Sequence, residues 1–139
     1  GQSIAVPMTV SGQTAEYPVS FVRDVMPTMS KLGCNAGTCH GSAQGKNGFK
    51  LSLRGYDPLF DHRSLTDDLA ARRFNRAAPE QSLFLLKTSG AAPHTGGVLT
   101  KPGEPSYELL KLWVAQGSTF DADSPRVAKL EVLPRNPRA

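Results

Sequence analysis

The chain has 139 residues, 39% hydrophobic and 20% charged, with a formal net charge of +4, which is the length of one domain able to bury a core of its own. No apolar run approaches the roughly 18 residues a membrane span needs, and the hydrophobic content excludes a disordered tail. Thirteen glycines and eleven prolines disfavour a long-helix bundle, and basic residues mixed with acidic ones along the chain give no support to nucleic-acid binding. Two cysteines are too few for a disulfide-built scaffold. The chain opens at Gly1 without the charged and apolar regions of a signal peptide and reads as a processed or excised piece.

Residues 1–19 alternate apolar and polar positions at Ile4, Val6, Met8 and Val10 before Ser11-Gly12, the pattern of a strand and turn. Ser20 suits a helix cap and Pro27 a first turn, with Met26, Met29 and Leu32 at three-residue spacing before Gly33; this helix is expected to deliver the chain to Cys34. Phe49, Leu51 and Leu53 alternate, predicting a short strand or extended segment. Asp57-Pro58 opens a short helix, and residues 64–74, with Leu65 and Leu69 four apart, predict a further one. Pro79-Glu80-Gln81 opens a helix containing Leu83, Phe84, Leu85 and Leu86, and a loop follows in which Gly90, Pro93, Gly96 and Gly97 surround His94. The clearest helix starts at Pro105-Ser106-Tyr107-Glu108 and closes at Gly117, with Leu109, Leu110, Leu112, Trp113 and Val114 on one broad apolar face. Val127, Leu130 and Val132 alternate imperfectly before Pro134. The expected class is therefore mostly α with short β segments at the chain ends. The expected organisation is an extended segment or linker over 1–19, a helical domain over 20–120 and a second extended segment or linker over 121–139.

The chemistry lies in Cys34-Asn35-Ala36-Gly37-Thr38-Cys39-His40. Two cysteines with a histidine directly after the second are the pattern of covalent haem attachment, each thiol adding to a vinyl group while the adjacent histidine reaches the iron. Four residues separate the cysteines where two are usual, so the loop must bulge, and Gly37 makes that easy. Three other readings compete. A disulfide would close a very small loop and leave His40 unexplained. Zinc could recruit Cys34, Cys39, His40 and either His62 or His94, but adjacent Cys39 and His40 would have to turn toward one tetrahedral ion. A catalytic Cys-His dyad is not normally built from sequence neighbours.

The order of elements, with Cys-x4-Cys-His-Gly, Ser82-Leu83 ahead of a helix, a Pro/Gly-rich loop and a last helix carrying Leu110, Trp113 and Gly117, resembles class I cytochrome c. Residues 21–27, 33–41 and 48–58 are more narrowly similar to the planctomycete-type cytochrome c domain, and the resemblance covers roughly residues 19–120. It implies class I cytochrome c-like helices around one covalent haem c, with Cys34 and Cys39 in thioether links and His40 as proximal ligand. In that fold the sixth ligand lies in the loop before the last helix; no methionine follows Met29, so His94 stands in the distal place, with Met26 and Met29 as the other candidates or as core residues. Phe49, Leu51, Leu85, Leu86, Val98, Leu99 and Trp113 are expected to wall the haem. Arg54, Arg72, Arg73, Tyr56 and Lys87 are candidates for its propionates. His62, on a polar helical stretch, reads as a surface histidine. The resemblance further implies a periplasmic or otherwise exported electron-transfer domain, not an enzyme by itself, whose redox partner is a protein or a domain of the same parent chain. Two alternatives stay open: a haem sensor with a displaceable distal ligand, and a haem-free zinc or disulfide module.

Overall fold

The computed structural model describes residues 5–12, 16–124 and 127–131. The first helix is shaped by its flanks. Ser20 caps it, with Oγ accepting the Arg23 N–H at 2.9 Å, and the Asp24 carboxylate accepts the Ser20 N–H at 2.9 Å. A wide π-helical turn over Phe21–Val25 then runs straight into α1, Met26–Lys31. Pro27, in the first turn of α1, has no N–H to return and its ring crowds the carbonyl four residues back, which favours the wider turn before it. Gly33, at φ 81, ends the helix, and the Cys34 N–H bonds the Met29 carbonyl at 3.0 Å. The helix thus hands the chain to Cys34 as expected.

The segment after the cysteines is extended but builds no strand: a single bridge joins Lys46 to Phe49, and the Leu51 N–H bonds the His40 carbonyl at 2.8 Å. Alternation stops at Leu51, which is fully buried, because a 3₁₀ turn over Leu53–Gly55 with Arg54 at φ 55 carries Leu53 out to solvent. Helix α2, Pro58–Thr66, is capped by Asp57, whose Oδ1 accepts the Phe60 N–H at 3.0 Å. The further helix expected over 64–74 does not form. Leu69, Ala70 and Ala71 all have positive φ, and Leu69 is exposed while Leu65 is buried. The Arg73 guanidinium donates to the carbonyls of Ser64 and Asp68 at 3.0 and 3.3 Å, so the chain folds back on the end of α2 instead of continuing it.

A 3₁₀ turn over Pro79–Gln81 precedes α3, Leu83–Ser89, which ends at Gly90 with φ 78; α4 spans Pro105–Ala115. The core joins all these elements: Phe21 and Val25 from the π turn, Met29 from α1, Leu65 from α2, Leu85 from α3, and Leu110, Trp113 and Val114 from α4 are completely buried. Truncating Trp113 to alanine would cost about 3–5 kcal/mol on that account. After α4 the chain returns to the first helix. Asp121 Oδ1 accepts the Phe21 N–H at 2.8 Å, its other oxygen accepts the Ser20 hydroxyl, and Gln116 Oε1 accepts the Val19 N–H at 2.9 Å.

The mostly helical class holds, with four helices and no strand among the described residues. The β segments expected at the chain ends are corrected. Residues 5–12 and 127–131 carry no regular structure, and Val6, Met8, Val10, Val127 and Leu130 are exposed, since an alternating run without a strand to pair with gains nothing from being extended. Ile4, Val132 and Pro134 lie outside the described residues. No helix among those described is long and apolar enough to cross a membrane.

Candidate functional site

The loop between the cysteines is closed by its own backbone. The Cys39 N–H bonds the Ala36 carbonyl at 2.9 Å, the His40 N–H the Cys34 carbonyl at 3.0 Å, and the Gly41 N–H the Ala36 carbonyl at 3.1 Å. The extra length is taken up by turning Asn35 inward. Asn35 is buried, its amide donates to Ser30 Oγ at 2.8 Å, and its carbonyl accepts the Arg54 N–H at 3.0 Å. Gly37 does not adopt a positive φ; the close approach is at Gly41, where a Cβ would lie 2.1 Å from the Asn35 carbonyl oxygen. Both cysteines are free thiols, Cys34 buried and Cys39 half-buried. Burial pushes the Cys34 thiol up to about 11, so in the protein alone it is a neutral S–H and a poor nucleophile.

His40 follows, held by Phe49. Its Nδ1 lies 3.0 Å from the Phe49 carbonyl, and the Phe49 ring packs on the imidazole at 4.5 Å between centroids. A carbonyl can only accept, so Nδ1 carries the proton and Nε2 keeps its lone pair. His94 repeats the device on the other side: its Nδ1 lies 3.1 Å from the Gly97 carbonyl. The loop that carries it is tied to α3 by Ala92 N–H to Leu86 O at 2.9 Å, Leu99 N–H to Thr88 O at 2.9 Å, and Lys87 Nζ to Pro93 O at 2.6 Å. Gly96 leaves room for the ring, since a Cβ there would lie 2.8 Å from His94 Cε1.

The centroids of the two imidazoles are 6.4 Å apart and their planes are inclined by 13°. Two imidazoles binding one ion from opposite sides, with bonds of about 2.0–2.1 Å, hold their centroids about 6 Å apart. Burial lowers the His40 pKa, and the charges of His94, Arg73 and Lys46 lower it further against the Phe49 hydrogen bond. The neutral ring, the form that ligates a metal, is therefore favoured.

His62 differs from this pair. It is half-buried, with Nε2 donating to the Ser118 carbonyl at 2.8 Å and the ring packed among Phe21, Trp113 and Phe120. The expected surface histidine is thus a packed one, because the chain after α4 folds over the polar stretch of α2 that carries it. No group of three or more His, Cys, Asp or Glu side chains that could hold a metal ion gathers among the described residues. A metal held by His40 and His94 would therefore have to bring its remaining ligands with it, as the iron of a haem does.

Of the residues expected around such a group, Phe49 touches His40, and Leu51, whose N–H bonds the His40 carbonyl, is fully buried. Leu85 is buried and Leu86 and Leu99 are half-buried, whereas Val98 is exposed. Trp113 packs on Phe21, His62 and Phe74 and donates to the Thr119 carbonyl at 3.2 Å; none of its ring contacts reaches His40 or His94. Arg54, Arg72 and Tyr56 are exposed, and Lys87 is spent on Pro93. Arg73 is the buried cation of the set, its guanidinium 4.2 Å over the Phe49 ring. Asn35 had no signal in the sequence that separates it from an ordinary turn residue. The comparison with protein-family models, with curated proteins and with solved structures found no match for this chain.

Proposed function

We propose that this chain is a c-type cytochrome domain that carries one covalently attached haem and transfers electrons. The observation that carries the reading is the pairing of His40 with His94: two near-parallel imidazoles 6.4 Å apart, each with Nδ1 tied to a backbone carbonyl and each with Nε2 left for a metal. Cys34 and Cys39 would supply the thioether links, in the sequence context in which a histidine directly follows the second thiol. When bound, the haem supplies a one-electron couple.

The protein's own residues do the rest. Phe49 and Gly97 fix the tautomer and the plane of each imidazole, which is how outer partners hold a ligating histidine. The bonds from α3 to the His94 loop keep that ring in place, so His40 and His94 would both hold the iron and leave no position open to a small molecule. An iron closed in this way favours electron transfer over oxygen or peroxide chemistry, so the domain acts as a carrier rather than as an enzyme. Its donor and acceptor are redox proteins or domains of the same parent chain, in the periplasm or another exported compartment where such attachment takes place.

The test is to express the chain with periplasmic haem maturation, record its oxidised and reduced spectra, and run the pyridine haemochrome assay on the same sample. A c-type spectrum with both vinyl groups saturated is expected. A colourless protein with two titratable thiols would overturn the reading.

A further inference from the structure

Outside the imidazole pair, Arg73 is a buried cation for which packing alone gives no reason. It is 7% exposed, and its Nη1 donates to two backbone carbonyls, Ser64 at 3.0 Å and Asp68 at 3.3 Å. No carboxylate among the described residues lies within ion-pair distance of it. Asp68, whose charge reaches the guanidinium, offers it only a main-chain oxygen. A buried cation without a counter-ion is costly, and an arginine does not escape the cost by losing its proton.

The surroundings of Arg73 give this charge a use. The guanidinium lies 4.2 Å over the centroid of the Phe49 ring. That ring packs on His40 at 4.5 Å, and the carbonyl of the same residue accepts the His40 Nδ1 proton. Phe49 therefore connects a cation with no direct ion pair to the imidazole by its ring and orients the imidazole by its backbone. The Arg73 carbonyl is in turn pinned by the Phe84 N–H at 3.1 Å, which anchors the stack to α3.

We propose that Arg73 is a positioning residue that raises the reduction potential of an iron held by His40, acting through Phe49; the inference rests on the haem reading above. Oxidation adds a positive charge at the iron, and a fixed cation nearby in a medium of low dielectric opposes it. At separations on the order of 10 Å and an effective dielectric constant of about 20, a unit charge changes the ratio of reduced to oxidised protein about tenfold, which is about 59 mV for a one-electron couple. Arg73 thus offsets part of the low potential that two imidazole ligands impose.

The experiment is a spectroelectrochemical titration of the haem-loaded parent protein and of Arg73→Gln, Arg73→Met and Arg73→Lys. Glutamine retains a donor for the Ser64 carbonyl without the charge, methionine retains the apolar stem, and lysine retains the charge without the planar stack. The two neutral variants should each fall by about tenfold in the reduced-to-oxidised ratio at the parent's midpoint, with the low-spin spectrum kept, and the lysine variant should recover most of the loss. Midpoints of the neutral variants equal to the parent's would overturn the proposal, as would a lysine variant that falls as far as they do, since packing and not charge would then be responsible. If glutamine alone prevents haem uptake, the methionine and lysine pair decides. A parent protein without a c-type spectrum overturns the haem reading and this inference together, whereas a coloured parent whose potential ignores Arg73 overturns this inference alone.

Discussion

At the scale of single residues, the three histidines differ in where each ring carries its proton. His62 donates from Nε2 to Ser118 and is spent on the core, whereas His40 and His94 donate from Nδ1 to carbonyls. Replacing His94 with alanine in the haem-loaded protein should convert a low-spin six-coordinate ferric spectrum into a high-spin one, and the same change at His62 should lower stability and leave the spectrum alone. An unchanged spectrum in His94→Ala would return the sixth position to Met26 or Met29. Two carboxylates make opposite predictions about pH. Burial raises the pKa of Asp61 despite its bonds from the Ser52 N–H and hydroxyl, so its contribution is greatest below the unfolded value of about 3.8 and is lost as pH rises through the raised folded value. Asp121 resists burial through bonds from Ser20, Ser124, Val22 and Phe21, and its pKa is lowered; its contribution is present above about 3.8 and is lost as pH falls through the depressed folded value. Denaturant unfolding between pH 3 and pH 7 should therefore show Asp61→Asn gaining on the parent as pH rises and Asp121→Asn losing on it. Parallel curves for both variants would refute the assignment. The bonds that Asp121 accepts from the Ser20 hydroxyl and the Phe21 N–H are worth about 1–2 kcal/mol.

At the scale of elements, the Cys-x4-Cys loop makes the sharpest prediction. Because a Cβ on Gly41 would meet the Asn35 carbonyl at 2.1 Å, Gly41→Ala must push apart two backbone segments that also carry Cys39 and His40, at a cost of about 2–3 kcal/mol. Gly37→Ala should be nearly silent, because its Cβ would meet only Leu53 Cδ1 at an ordinary 3.6 Å. Thermal melts of the two variants decide, and equal losses would place the constraint elsewhere. This contrast also measures what the sequence made legible. The helices flanking the site could be read from cap and period, as with Ser20 before the first helix, Gly33 at the end of α1, and the apolar face of α4. The helix expected over 64–74 could not be excluded in this way, because Leu65 and Leu69 have helical spacing, whereas the positive φ of Leu69, Ala70 and Ala71 and the bonds from Arg73 to the end of α2 turn the chain back. His40 was singled out by its neighbour Cys39 and His94 by its loop, both local signals, and the structure brings the two rings to 6.4 Å. Arg73 was one cation among several, because burial of a charged side chain depends on contacts distant in sequence, which composition and period do not carry.

At the scale of the whole molecule, the two halves of the chain each bring one imidazole: His40 comes from the loop after α1, and His94 from the loop between α3 and α4. Each ring is held from behind by its own half, His40 by Phe49 and His94 by Gly97, so neither depends on the other for its orientation. On the proposed reading, moving the His94 loop away from the iron would break its bonds to α3 at Leu86, Lys87 and Thr88. Carbon monoxide added to the reduced haem-loaded protein should accordingly leave the spectrum unmoved near neutral pH. Gly96→Val, whose side chain would occupy the space now taken by the His94 ring, should open the site and give a carbonmonoxy spectrum in a substantial fraction of the protein. If the parent itself binds carbon monoxide readily, the loop is a displaceable arm and the domain is a haem sensor. If neither protein binds it, the distal ligand does not depend on the His94 loop, and the pairing with His40 is not what closes the iron.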